Sequence, residues 1–172
     1  DIDEDGLDEL VFGSMSLHVL DVDTGKISYN STDYGGNFKF DIFAEDFDGD
    51  GDIEIASVND NNEIVLDDLS QNRTQWTYTS TDSGNDIDQI DIGHFGGTGN
   101  WDIVGSNAFG EVFALDGKNG IVIWFNETEH LYRSAKTIDN NQSDIDDVVA
   151  WDYNGGSLKR FSASLTPSVY SD

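Results

Sequence analysis

The chain has 172 residues, of which 37% are apolar and 12% aromatic, so it holds enough apolar material for one folded domain with a core. It carries 35 acids against eight bases, a formal net charge of −27. This charge excludes nucleic acids and anionic membrane surfaces as direct partners, because the sequence has no basic patch. Cysteine is absent, which excludes disulfides and thiolate metal sites, and we expect no membrane insertion.

The chain opens on an acidic loop with carboxylates at positions 1, 3, 5 and 9. Calcium needs several oxygen ligands at about 2.3–2.6 Å, and alternating carboxylates around a tight turn supply them. Gly6 stands where a side chain would clash in that turn. We therefore predict a Ca²⁺ site whose ligands are Asp1, Asp3, Asp5, Glu9 and the main-chain carbonyl of Leu7.

Short strands follow this loop. The sequence predicts strands at 10–12 and 17–20, an Asp-containing turn at 21–25 and a third strand that ends on Tyr29. A fourth strand is predicted at 38–43, directly before the loop returns. The residues are β-branched or aromatic and alternate in polarity, which is typical of strands.

The acidic loop recurs at residues 46–54, 45 residues after its first copy. An EF-hand would need a glutamate at loop position 12, where this chain has Phe12 and Ser57. The acid comes at position 9 instead, and a strand follows. We expect a second Ca²⁺ site formed by Asp46, Asp48, Asp50, Glu54 and the carbonyl of Asp52, with Gly51 at the turn. An acidic solvated turn is the alternative, and two matching copies disfavour it.

Two degraded copies continue the series at residues 94 and 139. The copy at 94 begins with His94 and has glycine and threonine at positions 3 and 5, so we expect it to fold without metal. The copy at 139 keeps oxygen side chains but fewer charges, and calcium affinity falls with ligand charge. Its expected, weaker ligands are Asp139, Asn141, Ser143 and Asp147.

The loops start 45, 48 and 45 residues apart, and each period holds four predicted strands and no helical pattern. Further strands are predicted at 55–58, 63–66, 87–92 and 111–115, and third strands end on Trp76 and Trp124. Four strands in about 40–45 residues is the period of a β-propeller blade. We predict an all-β propeller of four-stranded antiparallel blades in one domain, 1–172, with repeats at 1–45, 46–93, 94–138 and 139–172 and with the acidic loops joining successive blades.

The D-x-D-x-D-G-x-x-E loops resemble the calcium loops of FG-GAP (integrin α-type, VCBS-like) propeller repeats. Residues 114–124 are similar to the A-x-D-x-x-[TN]-G-x-x-x-W signature of quinoprotein-like (PQQ-type) repeats, and residues 20–29 are a looser copy with Tyr29 in place of tryptophan. The first resemblance implies calcium binding, and the second implies the architecture of a propeller blade without implying chemistry. We expect Trp76 and Trp124 to pack between neighbouring blades.

The first repeat has no strand before its loop, and the fourth is short. Three readings stay open. The chain is a piece of a larger propeller; or four blades close alone, with a strand at 168–170 supplying the missing one; or open blade edges pair between subunits.

The excess of acids exceeds what the loops need, because two Ca²⁺ ions would bring the net charge only to −23. The composition resembles that of halophilic proteins, and a calcium-rich secreted domain is the alternative. Four N-x-[ST] sequons, at Asn30, Asn72, Asn126 and Asn141, would accept glycans in a secreted protein.

No catalytic pattern stands out. The three histidines, His18, His94 and His130, fall at unrelated points of the repeats, and G-x-S-x-G, H-E-x-x-H and P-loop patterns are absent. We expect a non-enzymatic, calcium-stabilised module at the cell surface or outside the cell, which binds a protein or glycan partner in adhesion, recognition or assembly. A quinoprotein-like or polysaccharide-active enzyme fragment, and a self-assembling surface-layer or filament subunit, are the alternatives.

Overall fold

The computed structural model describes residues 1–3, 5–13, 15–31, 38–80, 87–107, 109–127, 132–139 and 145–162. All regular structure within these ranges is β-strand, as the sequence predicts, and none of it is a helix that could cross a membrane. The described strands are β1 (Leu10–Gly13), β2 (Leu17–Asp21), β3 (Lys26–Asn30), β4 (Phe38–Glu45), β5 (Glu54–Asn59), β6 (Glu63–Asp68), β7 (Arg73–Thr79), β8 (Ile87–Gly93), β9 (Asp102–Asn107), β10 (Glu111–Leu115), β11 (Val122–Glu127), β12 (Tyr132–Ile138), β13 (Asp147–Asp152) and β14 (Ser157–Ser162).

The strands form four antiparallel sheets, each made of strands that are consecutive in the chain. Sheet I contains β1, β2 and β3, and sheet II contains β4 to β7. Sheet III contains β8 to β11, and sheet IV contains β12, β13 and β14. Alternating polarity in short strands, separated by turns of Gly, Asp and Asn, favours such consecutive antiparallel pairing.

The pairing corrects the predicted repeat boundaries. The strand before each of the loops at 46, 94 and 139 pairs with the strand after it, as Glu45 does with Glu54, Gly93 with Asp102 and Ile138 with Asp147. The loops that begin at 46, 94 and 139 therefore close hairpins inside one sheet, and the prediction that they join successive blades was wrong. The strand at 38–45 belongs to sheet II, although the predicted repeat 1–45 placed it with β1 to β3.

The contacts of the chain divide it into two compact units. Unit 1 comprises Asp1–Asp46 and Asp50–Thr79, and unit 2 comprises Phe47–Gly49 and Ser80–Asp172. The core of unit 1 is formed by Leu17, Val19 and Tyr29 of sheet I with Ile55 of sheet II. Each unit thus has an apolar core of its own.

The core of unit 2 lies between sheets III and IV. Its buried side chains are Phe95, Val104, Val112, Ala114, Tyr132, Ala135, Val148 and Ala150. Trp124 packs against it, edge to face with Phe95 (ring centroids 6.5 Å apart) and stacked with Phe161 of β14 (6.1 Å). The predicted packing role of Trp124 between neighbouring sheets is confirmed.

Candidate metal loops

The first acidic loop brings its four predicted side-chain ligands together. One carboxylate oxygen each from Asp1, Asp3, Asp5 and Glu9 lies within 4.8 Å of the others. Glycine takes the turn, since Gly6 has φ of +94°, a backbone angle that side-chain-bearing residues rarely adopt. The loop leads directly into β1, so the carboxylates gather at the start of sheet I.

Backbone N–H groups hold these carboxylates in place. Gly6 N donates to Asp1 Oδ2 (2.9 Å), Leu7 N donates to Asp5 Oδ1 (2.8 Å), and Ile2 N donates to Glu9. Each of these bonds uses one of the two oxygens of its carboxylate, so the second oxygen can face a cation. An all-oxygen, multiply charged donor set of this kind fits Ca²⁺ better than it fits a soft or nitrogen-preferring metal.

The second loop repeats this geometry with three of its predicted ligands. Oxygens of Asp46, Asp48 and Asp50 lie within 4.8 Å of one another. Gly51 has φ of +98°, its N–H donates to Asp46 Oδ2 (3.1 Å), and the N–H of Asp52 donates to Asp50 Oδ1 (2.9 Å). The two loops therefore share one backbone design.

Glu54, the remaining predicted side-chain ligand of the second loop, lies outside this group of oxygens. It begins β5, where it is buried and stands opposite the buried Asp68 of β6. Ser70 Oγ and the backbone N–H of Gln71 donate to that aspartate. The acid at position 9 thus points to a different environment in each of the first two loops.

In the third loop, positions 1 and 7 contact each other directly, and positions 1, 3 and 5 carry no carboxylates. His94 at position 1 approaches the carbonyl oxygen of Asn100 at position 7 with Nδ1 (2.9 Å), and its ring stacks on Trp101 (centroids 4.4 Å apart). Position 7 is the position whose carbonyl was predicted as a calcium ligand in the first two loops. A ring nitrogen therefore makes the link between positions 1 and 7 that a cation would make there.

Asp102, the acid at position 9 of the third loop, fastens that loop to sheet III. Its Oδ2 accepts the N–H groups of Phe95 and Gly96 (both 2.7 Å), and its Oδ1 accepts that of Gly117 (3.2 Å). Burial raises the pKa of the Asp102 carboxyl above its usual value, and the three N–H donors oppose this shift in part.

The fourth loop does not gather its predicted ligands within the described part of the chain. Asp139 is exposed, whereas Asp147 is buried at the start of β13 and forms an ion pair with Arg160 of β14. Asn141 and Ser143 lie outside the described residues, as do His130, the sequon at Asn141 and the predicted strand at 168–170. The ion pair gives Asp147 a role that does not need metal.

The sequence pattern did not predict two hairpin networks of asparagine and glutamate, the first partly buried and the second buried. Asn59 Oδ1 accepts the N–H of Glu63 (3.1 Å), and Asn59 Nδ2 donates to the Glu63 carboxylate (2.9 Å). Asn107 and Glu111 repeat this arrangement one period later, and Ser80 adds a hydroxyl donor to Glu111. The signal was an asparagine four residues before a glutamate in both copies, 48 residues apart.

No family model matches the chain, and no curated protein matches it. Solved structures do match. BamB from Moraxella catarrhalis is 17% identical with a TM-score of 0.65, and the match covers 93% of this chain and 48% of that one. The Cps50 (Swd1) β-propeller domain of Myceliophteria thermophila is 14% identical with a TM-score of 0.65, covering 90% and 47%. BBS1N, solved in complex with ARL6DN, is 13% identical with a TM-score of 0.66, covering 95% and 49%.

These similarities show the fold. The chain has a β-propeller fold of antiparallel sheets, as its repeat period predicts, and it spans about half the length of each of the three structures named above. Sheets I to IV are therefore its blades I to IV.

Proposed function

We propose that the chain is a non-enzymatic, calcium-stabilised β-propeller module that serves adhesion, recognition or assembly at a cell surface or outside the cell. The observation that carries this proposal is the first loop, where four carboxylates meet within 4.8 Å. Four unneutralised acids at that spacing repel one another, and a divalent cation between them removes the repulsion. The resemblance to FG-GAP loops points to the same ion.

The protein would use the ion to hold a hairpin. In the second loop, Asp46, Asp48 and Asp50 would hold the cation in the segment that connects β4 to β5. In the first loop, Asp1, Asp3, Asp5 and Glu9 would hold it at the start of β1. The bound ion supplies charge neutralisation and a rigid link between ligands. It performs no chemistry on a substrate in this proposal.

We place the protein outside the cell in this proposal because calcium is abundant there. Extracellular calcium modules bind with a Kd of about 10⁻⁴–10⁻³ M, so they fill only where calcium is abundant. A protein partner is supported by the BBS1N propeller, which was solved in complex with a second protein. A glycan is the other partner class that fits a surface module. Trp124 does not support the quinoprotein-like alternative, because its ring packs between Phe95 and Phe161.

Thermal unfolding with and without calcium tests the proposal. An ion that binds only the folded state stabilises it by mass action, so 10 mM Ca²⁺ should add about 1.4 to 2.7 kcal/mol for each loop at the Kd above. We expect the melting temperature to rise with Ca²⁺ and to return to its original value with a chelator. A melting temperature that neither reagent changes would overturn calcium stabilisation.

Two conservative variants assign the effect to the loops. Asp5→Asn and Asp50→Asn each keep an oxygen that can accept the bond from the backbone N–H at position 7, but each removes one ligand charge. Calcium titration should show a Kd roughly tenfold higher or more at the altered loop, because affinity falls with ligand charge. Asp23→Asn, at an exposed acid in a turn, is the matched control and should titrate like the unaltered chain.

A further inference from the structure

Lys118, in the turn between β10 and β11, contacts the second acidic loop. Its Nζ donates to the main-chain oxygen of Asp48, at loop position 3, over 2.8 Å. An aspartate carboxylate lies within about 5 Å of the carbonyl oxygen of its own residue, so the ammonium group lies within about 8 Å of the Asp48 carboxylate. That carboxylate is one of the three that gather in this loop. A positive charge of the chain itself therefore stands beside a proposed cation site.

Hydrogen bonds fix the turn that carries Lys118. Asp116 N donates to the carbonyl oxygen of Ile121 (2.8 Å), and Gly120 N donates to the carbonyl oxygen of Asp116 (2.8 Å). Asn119 N donates to the Asp116 carboxylate (3.2 Å), and the Asn119 side-chain oxygen accepts the N–H of Ile121 (2.9 Å). The backbone position from which the lysine side chain extends is thus set within the turn.

The loop segment that accepts the lysine packs on the same turn. The Phe47 side chain is fully buried, and a Cβ at Gly117 would lie 2.8 Å from its ring. Phe47–Gly49 belong to unit 2, as the turn does. Since packing already fixes both sides of the contact, the lysine loses less conformational entropy in making it than it would between two mobile segments.

A lysine at this turn position is found in blade III and in neither of the first two blades. The turns between β2 and β3, β6 and β7, and β10 and β11 each begin with an aspartate whose carboxylate accepts the N–H three residues later. Two residues after that aspartate stand Asp23 in blade I, Ser70 in blade II and Lys118 in blade III. The chain has only five lysines, and one of them stands at the second loop.

The charges at the two proposed cation sites differ accordingly. The first loop gathers four carboxylates, and the second gathers three. Ile2 of the first loop and Leu69 of the β6–β7 turn pack on one core cluster, and that turn carries the uncharged Ser70. The loop with more acids thus adjoins a turn without a base, whereas the loop with fewer acids has an ammonium group on its backbone.

We propose that Lys118 is a built-in counter-charge of the second loop. Its ammonium group neutralises part of the charge of the three carboxylates when no metal is bound, so it stabilises this loop at low calcium. The same charge repels a divalent ion, so the loop binds Ca²⁺ more weakly than it would without the lysine. This inference rests on the proposed function, because it concerns the affinity of a proposed calcium site. Lys118 is a positioning residue there and not a ligand.

Calcium titration of the second loop tests the repulsion. The titrations use the Asp5→Asn chain, in which the first loop binds too weakly to mask the second. Lys118→Gln removes the charge and keeps a side-chain N–H donor, whereas Lys118→Arg keeps the charge. A unit charge about 8 Å from a divalent ion changes its Kd roughly three- to fivefold at about 0.01 M salt and hardly at all at about 1 M. We expect Lys118→Gln to bind Ca²⁺ more tightly by that factor at low salt only, and Lys118→Arg to bind like the Asp5→Asn parent.

Melting in chelator tests the counter-charge without calcium. Lys118→Gln should melt about 1 to 3 °C below the unaltered chain at about 0.1 M NaCl, which is the effect of one exposed charge interaction. The difference should vanish at about 1 M NaCl, where the charges are screened. Lys159→Gln is the matched control, because it removes the same charge from the middle of β14, opposite Ala150. It should change the melting temperature and the calcium affinity less than Lys118→Gln does.

Either measurement can overturn the inference. A Kd that Lys118→Gln leaves unchanged or raises would show that the ammonium group does not oppose the ion. Equal chelator melts of Lys118→Gln and Lys159→Gln would show that it is no counter-charge of the loop. If no chain binds calcium, calcium stabilisation fails by itself, and a loss of stability in Lys118→Gln that salt removes still supports the counter-charge.

Discussion

Single residues at loop position 9 show how one sequence position takes on several roles. Glu9 lies among the other carboxylates of its loop, and Glu54 is buried opposite Asp68. Asp102 accepts three backbone N–H groups, and Asp147 pairs with an arginine. The role depends on partners that are remote in sequence, such as a glycine 15 residues further on for Asp102. The loop pattern alone therefore predicts the position of the acid and leaves its partners open.

Asp102 anchors the third loop through hydrogen bonds to both of its carboxylate oxygens. Asp102→Asn should lower the free energy of unfolding at neutral pH by about 1 to 3 kcal/mol, because the amide has one acceptor oxygen where the carboxylate uses two, which leaves a buried N–H without its acceptor. Denaturant unfolding measures this loss. Asp23→Asn makes the same chemical change at an exposed turn and should stay within about 0.5 kcal/mol of the unaltered chain. Equal stability of the two variants would contradict the anchoring role.

The same carboxyl predicts a pH dependence. Since its pKa is raised in the folded protein, the folded state holds the Asp102 proton more tightly than the unfolded state does. Its contribution to stability is therefore fully present below the unfolded pKa and declines as the pH rises through the folded pKa. The difference in stability between the unaltered chain and Asp102→Asn, followed from pH 4 upward, should shrink with rising pH. A difference that grows instead would reverse the sign of the proposed shift.

The alternation of polar and apolar residues predicts where strands lie, and it does not predict which strands pair. The predicted strands at 17–20, 63–66 and 111–115 begin where β2, β6 and β10 begin, because a period of two in polarity marks a half-buried strand. The predicted repeat 1–45 grouped β4 with β1 to β3, and that grouping was wrong. Segments of similar length separate β4 from β3 and from β5, so nothing in the polarity pattern selects between the two neighbours.

The sequence predicted part of the candidate metal loops as well. The carboxylates of the first loop, and three of the second, lie together because they are close in sequence on a turn that glycine permits. The contacts of His94 with the Asn100 carbonyl and of Asp147 with Arg160 could not be predicted. They depend on ring stacking and on strand register, which short-range patterns do not encode.

Gly105 in β9 packs tightly against an aromatic ring of the neighbouring strand. A Cβ at Gly105 would lie 2.4 Å from the ring of Phe113, its partner across β9 and β10, and that ring is fully buried. Gly105→Ala should cost about 1 to 3 kcal/mol of unfolding free energy through overpacking. Gly96→Ala is the control, because its Cβ would meet nothing closer than 3.4 Å. Thermal melts of both variants settle the comparison, and a Gly105→Ala melt equal to the control would show that the ring yields freely.

The charge of the whole molecule sets its response to salt. A net charge of −27 on 172 residues makes the folded chain repel itself, and the Debye length falls from about 10 Å at 0.1 M salt to about 3 Å at 1 M. We expect the melting temperature to rise between these NaCl concentrations, by about 2 to 4 °C for each kcal/mol of repulsion removed. Chelator in every sample keeps calcium out of the comparison. A flat or falling series would contradict a halophilic design of the surface.

The third loop has a consequence for the calcium dependence of the whole chain. It keeps the left-handed glycine of the other two loops, Gly99 with φ of +84°, while an imidazole closes the turn from inside the chain. If the first two loops hold Ca²⁺ as proposed, equivalent turns are closed by an ion in one repeat and by a side chain in another. The calcium dependence of the whole chain would then be the sum of contributions from single repeats, set first by the residue at loop position 1 of each.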